Sequence, residues 1–153
     1  MKHHFSITPR IIAHFGEDLI KNESIAILEL VKNSYDACAT ECNVDFYSEN
    51  RQLKKLTISD NGFGMNADVI KNVWLVIGTD YKKNTQMSQC GRFPLGEKGV
   101  GRLGVHKLGK KITLYSKRSD YKEVELSIDW TELESAKNIS DFNVSVVEND
   151  IHK

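Results

Sequence analysis

Three polar side chains fall along one predicted helix at a spacing that could serve phosphate chemistry. Glu29, Asn33 and Asp36 stand at positions i, i+4 and i+7, close to one line along a helix axis. In such a row Glu29 could act as a base for water, Asn33 as an oxygen ligand for magnesium, and Asp36 as a support for the others. The same row is also typical of a solvated helix face, and this alternative stays open for the helix taken alone.

An aspartate at the end of a predicted strand is the second candidate. The segment ISDNGFGM, residues 58 to 65, delivers Asp60 into a turn in which Gly62 and Gly64 leave room for close backbone approach. A carboxylate in this position can accept a hydrogen bond from an exocyclic amine. A plain turn is one alternative, and a calcium loop is another, although the acidic ligands expected at alternate positions are missing.

A glycine-rich stretch, LGEKGVGRLGVHKLG at residues 95 to 109, is the third candidate. Backbone amides of such a stretch can cradle phosphates where it leads into a helix. It does not match the P-loop pattern, because it has no Gly-Lys-Ser/Thr triplet. Gly99, Gly101 and Gly104 match the dinucleotide spacing GxGxxG, but they follow three predicted helices and not the first strand of a βαβ unit. We therefore favour a phosphate loop of another kind.

The elements that must position these residues follow from glycine, proline and periodicity. Helices are predicted from Pro9 to about 20, from 23 to 39, and from the cap Asn66 to near Gly78. A loop from 78 to 104, expected to be mobile, leads into a further short helix. Alternating patterns predict strands around 44–46, 54–59, 111–117, 121–130 and 143–147. Helices first and strands late indicate an α+β fold with helices on one sheet face. Trp74 and Trp130 are expected in the core or at an interface.

The bulk composition limits the classes of protein that fit. The 153 residues, 40% of them hydrophobic, suffice for one well-buried domain. Twenty-one basic and 21 acidic residues give a formal net charge of zero, so no global basic field indicates nucleic acid or an anionic membrane. An anionic ligand must then be met by local groups. The sequence shows neither an apolar run long enough to span a bilayer nor a signal peptide, which predicts a cytoplasmic protein.

The three cysteines, Cys38, Cys42 and Cys90, make neither an even disulfide set nor a CxxC metal pair. We expect buried or idle thiols.

The three candidate segments together are more specific than any one of them. E-x-x-x-N-x-x-D-A at 29–37, D-x-G-x-G-M at 60–65 and G-x-K-G-x-G at 96–101 occur in this order, about thirty residues apart. They resemble the three motifs of the GHKL ATPases, the superfamily of gyrase, the ninety-kilodalton heat-shock chaperone, histidine kinases and MutL. The opening stretch is most similar to the chaperone-like and MORC-like branch. The resemblance implies a Bergerat fold, a two-layer α/β sandwich with helices on one face of a mixed, mostly antiparallel sheet.

The resemblance also implies a role for each matching residue. Glu29 would be the general base that deprotonates the attacking water, Asn33 the magnesium ligand, and Asp60 the acceptor for the adenine amino group. The other positions implied in ATP binding are Asp36, Gly62, Gly64, Met65, Gly96, Lys98, Gly99, Val100 and Gly101, with residues 78–104 as the ATP lid.

We therefore expect residues 1–153 to be one ATP-binding domain, the N-terminal part of a longer protein. The resemblance implies magnesium-dependent ATP binding and slow hydrolysis, with lid closure gating dimerisation or contact with a partner. An ATP-dependent homodimer and a downstream domain are expected, while nucleic acid is not expected as a ligand of this domain. A regulatory module that binds ATP without hydrolysis is an alternative. A histidine kinase catalytic domain is another, although such kinases usually carry Asn where Glu29 stands.

Overall fold

Helices and antiparallel strands make up the part of the chain that the structure, a computed structural model, describes: residues 8–12, 14, 20–76, 87–95 and 101–150. The α-helices are α1 (Glu23–Asp36), α2 (Ala67–Val69) and α3 (Trp130–Ser135); a π-helical turn, Ile70–Trp74, continues α2, and Gly101–Lys107 and Ile139–Asp141 form 3₁₀ helices. The strands are β1 (Cys42–Glu49), β2 (Gln52–Asp60), β3 (Lys111–Ser116), β4 (Glu123–Asp129) and β5 (Ser145–Asn149). The predicted α+β class is confirmed.

Helix α1 has a defined start and end. The Asn22 side chain caps the first turn by accepting a hydrogen bond from the Ile25 amide at 3.0 Å. At the other end Cys38 has a φ of 63°, a left-handed conformation that a helix cannot continue. The Ala39 amide then turns back to the Ser34 carbonyl at 3.0 Å, as in a Schellman-type end. The helix therefore stops at Asp36, three residues before the predicted end.

The strands form two antiparallel sheets within the described residues. β1 and β2 make a hairpin whose turn residues, Asn50 and Arg51, both have positive φ, and β3, β4 and β5 form a second sheet in that order. The resemblance implied one mixed sheet. The described strands form two separate ladders, and the Met65 amide, after β2, donates to the Ser116 side-chain oxygen at the end of β3 at 2.7 Å.

The core lies between the three-stranded sheet and the helical layer. On β4, Val124, Leu126 and Ile128 are at most 5% exposed and alternate with half-buried polar residues. Ile70 and Val105 of the helical layer belong to the same cluster. Full burial of an aliphatic side chain contributes about 1.5–3 kcal/mol, so this interface fixes which sheet face the helices cover. Trp130 belongs to the core and Trp74 packs against it, as predicted.

The helix predicted after Asn66 is present in a different form. Asn66 caps it, accepting from the Val69 amide at 3.0 Å. After one turn the backbone widens, and the Leu75 amide bonds to the Ile70 carbonyl, a five-residue step. The helical run ends at Trp74, before the predicted end, and Gly78 lies outside the described residues. No helix in the described part of the chain is long and apolar enough to cross a bilayer.

Candidate nucleotide-binding site

A hydrogen bond across the fold joins two of the predicted motifs. The Ser34 hydroxyl, on α1, donates to Oδ2 of Asp60 at the end of β2, over 2.8 Å. Oδ1 of the same carboxylate accepts from the Gly62 amide at 2.9 Å. Ser34 is 2% exposed, whereas Asp60 is exposed. Two donors thus fix the carboxylate, and because its oxygens offer about four acceptor positions, it can still accept from a ligand amine.

The row predicted on α1 is present on one helix, and its first member has an ion-pair partner. Glu29 and Asn33 are half-buried and lie about 6 Å apart along the axis. Lys32 Nζ lies 2.7 Å from Glu29 Oε1, and the two side chains are 30% and 23% exposed. The ammonium therefore orients the predicted general base. Sequence reasoning missed this pair, although its i, i+3 spacing is the signal for one.

The loop at residues 60–65 passes close to backbone on both sides. A Cβ placed on Gly62 would lie 2.7 Å from the Ala37 carbonyl oxygen, and the neighbouring Phe63 amide donates to that oxygen at 2.9 Å. Gly64 has a φ of 65°, and a Cβ there would overlap the Lys117 carbonyl oxygen. Both glycines are therefore required by space, in agreement with the predicted close approach.

Part of the predicted lid lies against the end of α1. Within residues 87–95, the Arg92 guanidinium donates to the Tyr35 and Ala39 carbonyls at 3.2 and 2.8 Å and lies 4.8 Å from the centre of the Tyr35 ring. These bonds satisfy carbonyls at a helix C-terminus, where a cation is favoured. The Leu95 amide donates to Oδ1 of Asp36 at 2.8 Å. Asp36 therefore holds the end of the 87–95 segment. Arg92 was missed because its partners are backbone atoms more than fifty residues away.

Four residues of the predicted glycine motif lie outside the described residues: Gly96, Lys98, Gly99 and Val100. The last residue of the motif, Gly101, begins the 3₁₀ helix Gly101–Lys107. This helix packs against α1.

The prediction for the cysteines is wrong for two of the three. Cys38, just beyond α1, and Cys90, in the 87–95 segment, form a disulfide with a Cα–Cα distance of 6.0 Å, while Cys42 is a free thiol. The 52-residue separation concealed this pairing. It arises because the predicted lid folds back onto the helix end, which an odd count of cysteines does not reveal.

The contacts around α1 bring two of the predicted motifs together. An exposed carboxylate acceptor, Asp60, lies beside the helix that carries Glu29 and Asn33. In agreement, residues 21–153 match the family of histidine kinase-, DNA gyrase B- and HSP90-like ATPases. The chain belongs to this family, and membership implies ATP binding.

One curated relative carries a similar stretch within a much longer chain. Over 111 residues the chain is 30% identical to a putative type II restriction enzyme, HgiDII, of Herpetosiphon aurantiacus. The matched stretch is 72% of this chain and 17% of the relative. The chain therefore spans a small part of that relative's length.

Proposed function

We propose that this domain binds magnesium and ATP between α1, residues 60–65 and the start of the 3₁₀ helix Gly101–Lys107, and hydrolyses the ATP slowly. The observation that carries the proposal is the bond from Ser34 to Asp60. It fixes an acceptor for the adenine amino group beside the helix that carries Glu29 and Asn33. Guanine has no amino donor at the equivalent ring position, so the fixed carboxylate favours adenine.

The other α1 residues would serve the phosphate end of the nucleotide. Asn33 offers an amide oxygen, a ligand type that magnesium accepts. The metal, when bound, would neutralise charge on the phosphates. Glu29 would orient a water molecule and take its proton as the water oxygen bonds to the γ-phosphorus and the bond to the ADP oxygen breaks. Because Lys32 pairs with Oε1 of Glu29, the water must approach the lone pairs of the carboxylate that the ammonium leaves open, which supports slow turnover.

Isothermal titration calorimetry with ATP tests the binding site. Asp60→Ala removes a charged acceptor whose hydrogen bonds are worth about 1.5–3 kcal/mol, so affinity should fall about ten- to hundredfold. Glu29→Ala should retain binding and lose phosphate release. Asp45→Ala removes an exposed carboxylate from β1 and is the matched control, with affinity unchanged. Equal ATP affinity in wild type, Asp60→Ala and Glu29→Ala would sink the proposal, provided thermal unfolding shows that each variant folds.

A regulatory module without hydrolysis is the second candidate function. The observation in its favour is the ion pair of the proposed base, in which Lys32 Nζ lies 2.7 Å from Oε1 of Glu29. Phosphate release by the longest native protein discriminates the two. Turnover that disappears in Glu29→Ala supports the hydrolase. Tight ATP binding with no turnover in wild type supports the regulatory module.

Within the longer protein, we propose that ATP binding orders the lid and promotes dimerisation or contact with a partner domain. The docked part of the lid, with Arg92 against the end of α1, supports this because it shows a surface on which the lid can settle. Light scattering with and without a non-hydrolysable ATP analogue measures the mass change. A mass that stays monomeric with saturating analogue contradicts dimerisation.

The similarity to a putative restriction enzyme supports a role for the domain in controlling DNA cleavage by other parts of the longer protein. The neutral net charge is consistent with DNA being held elsewhere. Plasmid cleavage by the full-length protein should depend on ATP and fall in Asp60→Ala. Cleavage at the same rate with ATP, with ADP and with no nucleotide would reject this role.

A further inference from the structure

Two cysteines join the predicted lid to the end of the motif helix. Cys38 is the second residue after α1, whose last turn carries Asn33 and Asp36, and Cys90 lies in the 87–95 segment. The bond therefore fastens a segment of the lid to the helix that supplies the proposed magnesium ligand. Its position makes it a candidate for control of the nucleotide site and not only for stabilisation of the fold.

The turn that presents Cys90 is built around Ser88. The Ser88 amide donates to the Arg92 carbonyl at 2.8 Å and the Gly91 amide to the Ser88 carbonyl at 2.9 Å. The Ser88 hydroxyl lies 3.6 Å from the Cys38 sulfur and 3.2 Å from the Cys90 sulfur. Since a disulfide sulfur has no proton to donate, the hydroxyl is the donor to the sulfurs. Ser88 thus places a polar group beside the bond, where it can stabilise a thiolate once the bond opens.

The two ends of the disulfide differ in exposure. Cys90 is exposed and Cys38 is half-buried. Thiol–disulfide exchange requires access of a thiolate to one sulfur along the bond axis. An external thiol can approach the Cys90 side of the bond from solvent.

If the disulfide opens, weaker contacts remain between the segment and the helix. They include the two hydrogen bonds from Arg92, its contact with the Tyr35 ring, and the bond from the Leu95 amide to Asp36, and the hydrogen bonds are exposed or half-buried. Net contributions of such bonds are about 1 kcal/mol each. The segment would therefore separate from α1 more readily, whereas the covalent bond prevents separation.

We propose that Cys38 and Cys90 form a redox site that controls how tightly the domain holds its nucleotide. The inference rests on the proposed ATP binding. In the oxidised form the segment stays docked on α1 and ATP leaves slowly. In the reduced form the segment can lift and ATP leaves faster.

The chemistry is thiol–disulfide exchange with a small thiol and its disulfide, such as glutathione. A thiolate attacks the Cys90 sulfur, the bond to Cys38 breaks, and Cys38 takes up a proton. A second thiol then displaces Cys90 from the mixed disulfide. The protein gains two electrons and two protons, and two small thiols become one small disulfide; oxidation runs the same steps in reverse.

Thiol counting and ATP dissociation test the proposal on the full chain. Alkylation and mass spectrometry should find one free thiol, Cys42, after treatment with glutathione disulfide, and three after treatment with a dithiol. Release of a fluorescent ATP analogue should be about fivefold or more slower from the oxidised form, the lower end of couplings between two sites. Cys90→Ser should match reduced wild type under both conditions, which also controls for effects of the reagents on Cys42.

Each other result overturns the proposal. Three free thiols after oxidation would show that the bond does not form. Equal release rates from oxidised and reduced wild type, or slower release from the reduced form, would show that the bond does not control the nucleotide in the proposed direction; ATP binding itself would stand. Absence of ATP binding in both redox states would remove the proposed function and this inference with it. If Cys90→Ser fails to fold, Cys38→Ser serves as the same control.

Discussion

Gly64→Ala is the change that most directly tests how the loop at residues 60–65 is held in place. Gly64 combines a φ of 65° with a backbone position against the Lys117 carbonyl. An added methyl group meets both a disfavoured conformation and a backbone atom that has no rotamer by which to move. The loop would have to shift away from β3, and the bond from the Met65 amide to Ser116 would lengthen with it.

Two other glycines separate these contributions. Gly91 has a φ of 76° with nothing near its absent Cβ, and Gly109 has only an ordinary contact at 3.6 Å and no positive φ. Alanine in a left-handed conformation costs about 1–2 kcal/mol, which is the expected loss for Gly91→Ala. Overpacking adds about 1–3 kcal/mol, so Gly64→Ala should lose about 2–5 kcal/mol in all. Gly109→Ala should be neutral or stabilise by up to about 1 kcal/mol.

Urea unfolding at equilibrium gives the free energies, and calorimetry with ATP gives the functional effect. A loss of 2–5 kcal/mol corresponds to a fall in Tm of about 4–20 °C for a domain of this size. ATP affinity should fall with Gly64→Ala, because Asp60 lies on the same loop. If Gly64→Ala is no more destabilising than Gly91→Ala, the close approach to the Lys117 carbonyl is wrong. If it is destabilising but binds ATP as wild type does, the loop does not set the position of Asp60.

Two further changes test the half-buried hydrogen bond from Ser34 to Asp60 and the side chain of Asp129, which caps α3 by accepting from the Thr131 amide at 3.0 Å. Ser34→Ala removes the donor to Asp60 and should cost about 1 kcal/mol and about fivefold in ATP affinity; unchanged affinity by calorimetry would contradict the role of that bond. A hydrogen bond from Thr131, and after it one from Lys111, holds the pKa of Asp129 below its ordinary value of 3.8. Because the folded pKa is the lower one, this stabilisation is present above about pH 4 and is lost as pH falls through the folded pKa. Asp129→Asn keeps a capping side chain, so the Tm of this variant should fall less than that of wild type as pH drops below 4. The same decrease of Tm in both proteins would refute this.

The parts of the site that were predictable are those read from local spacing. Glu29 and Asn33 lie on one face of α1 because positions i and i+4 of a helix do so. The position of Asp60 at the end of a strand follows from the alternating pattern before it. The spacing did not predict which side chain joins the helix to Asp60. Ser34 lies on the buried side of α1, and its bond to Asp60 depends on how β2 returns to the helix.

Non-local contacts account for most of the missed features. The Cys38–Cys90 bond depends on the 87–95 segment folding back onto the helix end, and Arg92 bonds to the Tyr35 and Ala39 carbonyls, which carry no sequence signature. The π-helical turn Ile70–Trp74 was read as ordinary helix because both place apolar residues at similar intervals. The disulfide and the Arg92 contacts join segments distant in sequence, where local propensity does not decide the outcome.

Contacts at the end of α1 join two segments that are distant in sequence, the loop at residues 60–65 and the 87–95 segment. The Phe63 amide bonds to the Ala37 carbonyl, Arg92 bonds to the Ala39 carbonyl, and Cys38 is bonded covalently to Cys90. Residues 60–65 and the 87–95 segment are thus both attached to the helix end that follows Asn33. Because both depend on neighbouring residues at this helix end, displacement of one segment alters the support of the other. This shared attachment is a physical route by which a change in the 87–95 segment can reach the proposed nucleotide site.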